Sequence, residues 1–214
     1  TIIYNDRQHN QFVSVILNTK TNENKIIPFP IYCVHPNGKS ALSINYERFY
    51  FIKPGYNYQG IVNKKWDKAI HSDDGIYSVD LATGKYKLLI RLEDIVDHQY
   101  LDEFATSRYH FIEMPLWNPD GTRFLFLHRW LIDKNNFKTR LFSCDISGKD
   151  LYLFPDMPFV SHYNWKNNNE FTVWAAQPNS KTKLIQSINN NQSYAKYLRP
   201  IYQFFKTKLF GKSI

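Results

Sequence analysis

The chain has 214 residues and a net charge of +8, with aromatic residues at 17% and hydrophobic residues at 43%. That apolar content allows a sizeable buried core and excludes a disordered protein. Seven positive charges, at Lys181, Lys183, Lys196, Arg199, Lys206, Lys208 and Lys212, follow the last acidic residue, Glu170, which leaves +1 for the rest and no basic stripe there for nucleic acid.

Three strands open the chain, at 2–4, 12–17 and 25–28, with turns expected at Asn5-Asp6 and at 21–24. Residues 12–17 are too rich in β-branched and aromatic side chains for a helix. A second unit follows. It has a strand at 31–35, a Pro36-Asn37-Gly38-Lys39 turn, a strand at 40–45, a third at 75–80, a Thr83-Gly84-Lys85 turn, and a strand at 86–90. A long insertion, 46–74, interrupts it and carries Lys53-Pro54-Gly55-Tyr56-Asn57-Tyr58. Residues 92–104 read as a short helix or an irregular connection.

A third unit repeats the plan: a strand at 110–117, a turn at Pro119-Asp120-Gly121, strands at 123–130 and 139–145, a Ser147-Gly148-Lys149 turn, and a strand at 151–154. Both phases of 124–127 are apolar, so this strand is expected to be buried on both faces. It closes on His128-Arg129-Trp130, which is expected to deliver charge to a sheet edge. A fourth unit starts with a strand at 160–165 and continues at 170–176. Four antiparallel strands per unit, with matched turns at matched places, predict an all-β fold built of four-stranded propeller blades. The expected layout is a partial propeller over 1–192. Blades at 31–91 and 108–155 are complete, and partial blades lie at 1–30 and 160–192. A basic amphipathic tail, 193–214, is expected to be helical over 199–209.

The chain begins inside a strand and reads as a piece of a longer one. Cys33 and Cys144 lie in apolar strand patterns, where a free thiol behaves as a small hydrophobe. No phosphate-binding loop, dinucleotide fingerprint, zinc spacing or nucleophile elbow is present.

The Pro119-Asp120-Gly121-Thr122-Arg123-Phe124 stretch and its echoes resemble the repeats of TolB-like β-propellers. His128, then Arg140-Leu141-Phe142, then His162-Tyr163-Asn164-Trp165, are similar to the oligogalacturonate lyase branch. That resemblance implies a manganese-dependent lyase of uronic-acid oligomers, with His128 and Arg140 catalytic and His162 a metal ligand. In the family a Glu-Gly-Pro follows the strand-end His, where this chain has Arg129-Trp130. The family's further metal ligands come from later blades.

The residues themselves leave alternatives open. His128 could act as a base or bond a neighbouring blade, and Arg140 could bind a carboxylate or pair internally. Arg129, expected to share their face, joins Trp130, Arg48, Tyr56 and Tyr58 as candidate contacts to an acidic sugar. The tail could meet an anionic membrane surface or pack on the body. The reading is a non-catalytic binding or scaffold module for an acidic glycan or other ligand, with an acidic oligosaccharide as the expected partner and no nucleic-acid partner, in the cytoplasm. It would be closed by missing blades or a partner chain. The alternative is a lyase-like enzyme that holds manganese only when complete.

Overall fold

The computed structural model describes residues 1–61, 63–98, 101, 103–133, 136–154, 157 and 159–176. The chain divides into two compact units, Thr1–Ala175 and Ala176–Ile214. The expected tail helix lies outside the described residues, as does the end of the expected fourth blade. The first unit is all-β, and its strands form four antiparallel sheets. Sheet one holds β1 (Ile2–Gln8), β2 (Gln11–Leu17) and β3 (Asn24–Ile27). Sheet two holds β4 (Cys33–Val34), β5 (Ser40–Ile44), β6 (Gly75–Asp80) and β7 (Tyr86–Arg91). Sheet three holds β8 (His110–Trp117), β9 (Arg123–Leu131), β10 (Phe137–Asp145) and β11 (Tyr152–Leu153). Sheet four holds β12 (Val160–Trp165) and β13 (Phe171–Ala175). Strands neighbour each other in chain order throughout. Among the described residues no helix is long and apolar enough to cross a membrane.

The expected four-stranded sheet over 110–154 is present, and β9 is buried on both faces. Phe124 and Phe126 pack with Phe142, Ile76 and Ile44 of the larger core on one side. Leu125 and Leu127 pack with Leu141, Val160 and Tyr163 on the other. Phe126 and Phe142 stack at 5.3 Å between ring centroids.

The matched turns match atom for atom. In the first hairpin of sheet two, Gly38 N–H bonds His35 C=O at 2.8 Å, and the Asn37 side chain accepts from Lys39 N–H at 2.9 Å. In sheet three, Gly121 N–H bonds Asn118 C=O, and the Asp120 side chain accepts from Thr122 N–H, both at 3.0 Å. Gly38 and Gly121 have φ of 69° and 75°, where a side chain is strained. Equivalent turns also touch in series. His35 Nε2 donates to Gly121 C=O at 3.0 Å, and Asp120 N–H bonds the Asn168 side chain at 3.0 Å in the first hairpin turn of sheet four. The Gly-Lys turns do the same one sheet back. A Cβ on Gly84 would lie 3.1 Å from Pro28, just past β3, and one on Gly148 would lie 2.7 Å from the Leu89 carbonyl in β7.

One local expectation fails. Asn5-Asp6 is not a turn, because β1 continues to Gln8 and the chain reverses at His9-Asn10. Both of those residues have positive φ, the geometry that suits the twist of a two-residue hairpin. Asn5 instead holds the Ile31 backbone through both its N–H and its C=O, at 2.8 and 2.7 Å. The insertion, in turn, begins with α1 (Tyr46–Ile52), capped by the Asn45 side chain on Arg48 N–H at 3.0 Å. The 92–104 stretch holds α2 (Leu92–Asp97) and the start of α3 (Glu103–Thr106). Cys144 is buried, Cys33 is half-buried, and both are free.

Candidate functional site

Arg48 is fully buried and contacts no solvent. Its two terminal nitrogens donate to the carbonyls of Trp66, Lys68, Ala69 and His110, at 2.8 to 3.0 Å. Its Nε lies 2.7 Å from the Asp74 carboxylate. Burial raises that carboxyl to about 7 against the opposing pull of the Arg48 charge. Its four terminal N–H groups all meet carbonyls and its Nε is ion-paired with Asp74, so Arg48 is the pin of the 46–74 insertion and not the sugar contact expected of it. The error is physical: donors aimed at carbonyls leave no mark in a sequence.

His128 is likewise 0% exposed, in the body of β9 and not at an edge. Both β9 and β10 run past it, to Leu131 and from Phe137. Strand alternation puts His128 beside His110, Trp130 and Arg140 on one face of sheet three. There a directed chain of hydrogen bonds forms. Arg140 Nε and Nη2 donate to His128 Nδ1 at 3.2 and 3.1 Å. His128 Nε2 lies 2.9 Å from His110 Nδ1, and His110 Nε2 lies 2.9 Å from the Ala105 carbonyl. A guanidinium only donates and a carbonyl only accepts, so the protons are fixed: each imidazole is neutral and carries its hydrogen on Nε2. Burial holds His128 well below its ordinary value, with Arg140 and His110 adding to the effect, and holds His110 at about 4. Arg140 also bonds the Ile95 and Val96 carbonyls, at 2.9 and 3.4 Å, and burial lowers it to about 10. Trp130 packs on both imidazoles. His128 is sealed inside this group, so the catalytic role expected of it has no open route to a ligand, while Arg140 is only partly buried.

Arg129 does not share that face, since it is the next residue along the strand. It faces the other way, with Phe111, Glu113 and Leu127. Its Nη1 pairs with the Glu113 carboxylate and its Nη2 donates to Val160 C=O at 3.3 Å. Its side chain is only 5% exposed, and its Nε has no hydrogen-bond partner among the described residues. Lys53 reaches the same carboxylate from the insertion, at 3.8 Å. Its ammonium sits over Tyr56 at 4.0 Å and Phe137 at 4.5 Å, and Arg129 covers the same Phe137 at 4.5 Å. Two cations therefore share one carboxylate. Burial lowers Lys53 and Arg129, while Glu113 holds both up. Tyr32 borders the group, and burial and then the Glu113 charge raise its phenol. Tyr163 donates to Met114 C=O beside it. At this point β8 bulges: Met114 and Pro115 stand opposite Phe126 alone, and Met114 has φ of 60°. Bulges and positive φ at a bulky residue cluster at functional sites. Tyr56 is 72% exposed and forms the outer wall.

Sequence reading missed Glu113 and Tyr32. A carboxylate inside the apolar run His110-Phe111-Ile112-Glu113-Met114 was the available signal, because a buried charge must be paired. Tyr58, the other expected insertion contact, lies elsewhere: it packs on Phe12 and Tyr46 and accepts from Asn5 at 3.4 Å. His162 is exposed on β12 and meets Ser161 Oγ at 2.7 Å. The resemblance implies manganese at His162. Among the described residues no three His, Cys, Asp or Glu side chains converge to hold a metal ion, so the residues present do not fit that site. No protein-family model, curated protein or solved structure matches the chain.

Proposed function

We propose that this chain is a non-catalytic binding module for an acidic oligosaccharide, and that its sheets are successive blades of a TolB-like propeller completed by further strands. The propeller reading is supported by the serial contacts between equivalent turns, His35 to Gly121 and Asp120 to Asn168, which one rotation from sheet to sheet would generate. Small-angle scattering of the full-length protein tests it, since a closed ring and an open stack of sheets differ in radius of gyration.

The binding reading rests on one observation: two nearly buried cations share one carboxylate, and Arg129 Nε has no partner among the described residues. A ligand carboxylate would supply the missing negative charge and acceptor. Tyr56, stacked on Lys53 and open to solvent, offers a ring for a sugar face. The lyase alternative is not favoured, because its base would be His128, sealed and neutral behind Trp130.

Calorimetric titration of the full-length protein with an oligogalacturonate and with a neutral galactose oligomer of equal length tests the reading. The acidic oligomer should bind, more weakly as salt rises. The neutral one should not bind, and Lys53→Met should lower affinity at least tenfold, on the order of a lost charge-assisted contact. Equal binding of both oligomers, or of neither, overturns the proposal. Appearance of unsaturated-uronate absorbance would restore the lyase alternative.

A further inference from the structure

A separate cavity of about 470 Å³ lies where sheets one and two meet beneath the insertion. That volume is within the range of small-molecule sites. Its walls include Phe29, Tyr77, Tyr86 and Trp66, with Glu47 and Asp73 at the polar side. The rings are held in different orientations. Phe29 and Tyr86 stack at 4.0 Å, and Tyr77 meets them at interplanar angles of 53° and 71°. Tyr77 is fixed by its hydroxyl, which donates to the Asp73 backbone carbonyl. Trp66 is fixed by its indole N–H on Glu47 Oε2 at 2.9 Å. Tyr86 remains half exposed, so one ring face is open to the cavity mouth.

The charge here is opposite in sign to that at Lys53. Two carboxylates, Glu47 and Asp73, line the cavity with one ammonium, that of Lys65, which sits 4.2 Å from the Trp66 ring centre. Among the described residues the Asp73 carboxylate accepts no side-chain hydrogen bond. The Tyr77 phenol is raised by burial first and then by neighbouring acidic groups, Asp74 and Asp73 before the others.

We infer that this cavity binds an organic cation, an alkylated or quaternary ammonium group, with Tyr86, Tyr77 and Phe29 around the charge and Glu47 and Asp73 balancing it. Aromatic faces attract such a cation through their quadrupoles, and its methyl groups fit an apolar wall without demanding hydrogen bonds. A neutral sugar could use the same rings but would gain nothing from the unbalanced carboxylates.

The test is titration of the full chain with choline, with its neutral tert-butyl isostere, and with galactose. Choline should bind and the isostere should bind about tenfold more weakly, the difference expected from the cation–π attraction. Tyr86→Ala and Asp73→Asn, both at exposed positions, should each lower choline affinity several-fold with an unchanged circular dichroism spectrum. The inference is overturned if choline does not bind, if the isostere binds equally, if Tyr86→Ala keeps full affinity, or if galactose binds in its place. None of these outcomes depends on the Lys53 site, which the oligogalacturonate titration reads separately.

Discussion

Sheet three carries an arginine on each face, Arg129 buried and Arg140 partly buried, and treats the two in opposite ways. On one face Arg140 enters a directed chain of hydrogen bonds, from the guanidinium through two imidazoles to the Ala105 carbonyl. On the other, Arg129 and Lys53 crowd one carboxylate, and an N–H is left over. The strands are the same, so the difference comes from what packs over them. Helices α2 and α3 bring carbonyls, which satisfy a cation without adding charge. The insertion brings a second cation, which leaves the group in surplus. A satisfied network rigidifies a core, whereas an unsatisfied one at a solvent-facing wall is available to a ligand.

Deleting one cation from each face tests that contrast most severely. Arg140→Met strips donors from His128 Nδ1 and from the Ile95 and Val96 carbonyls. It should cost about 3 kcal/mol in urea unfolding and leave oligogalacturonate affinity unchanged. Lys53→Met should do the reverse. Arg129 still neutralises Glu113, so stability should move by no more than about 1 kcal/mol while affinity collapses. Equal stability losses in the two variants would break the comparison.

How much of this was legible in the sequence follows from the same contrast. Turn chemistry and strand alternation are local, so the all-β class and the Pro-Asp-Gly and Gly-Lys turns were readable. Alternation alone also placed Arg129 on the face opposite His128, and grouping those two was an avoidable error. The partners were not readable. Ala105, Ile95 and Val96 reach the arginine face by backbone atoms, which any residue carries. The Asn45 cap of α1 was readable, but the aromatic content of the insertion drew attention to ligand contact instead. Asn5-Asp6 has turn composition and sits in a strand because Asn5 is needed to hold Ile31, a contact across 26 residues.

Acid separates the faces with a smaller effect. His110 and His128 are held below their unfolded values, so the unfolded chain binds more protons as pH falls from about 6.5 toward 4. Stability from the closed face is therefore complete above that window and is lost on acidification through it. Asp74, raised to about 7, works in the opposite direction by one proton. The net slope should be roughly 1 kcal/mol per pH unit, one proton's worth. Unfolding curves at successive pH values give it directly. A flat profile would mean that the imidazoles are not held neutral. Among the described residues the group of Lys53, Glu113 and Arg129 includes no histidine, so Lys53→Met should leave the slope as it is.

The finest test removes only the outer wall of the open face. Tyr56 is 72% exposed and its ring covers the Lys53 ammonium at 4.0 Å. Truncating an exposed side chain shifts stability by no more than about 0.5 kcal/mol. Losing an exposed cation–π contact is worth a similar amount, so Tyr56→Ala should weaken oligogalacturonate binding only about threefold. Tyr56→Phe keeps the ring and should bind as the parent does. If the phenylalanine variant loses as much as the alanine one, the hydroxyl and not the ring face makes the contact, and Tyr56 is no stacking platform. If neither variant changes affinity, the ligand enters on the Tyr32 side, and Tyr32→Ala becomes the variant that should show the loss.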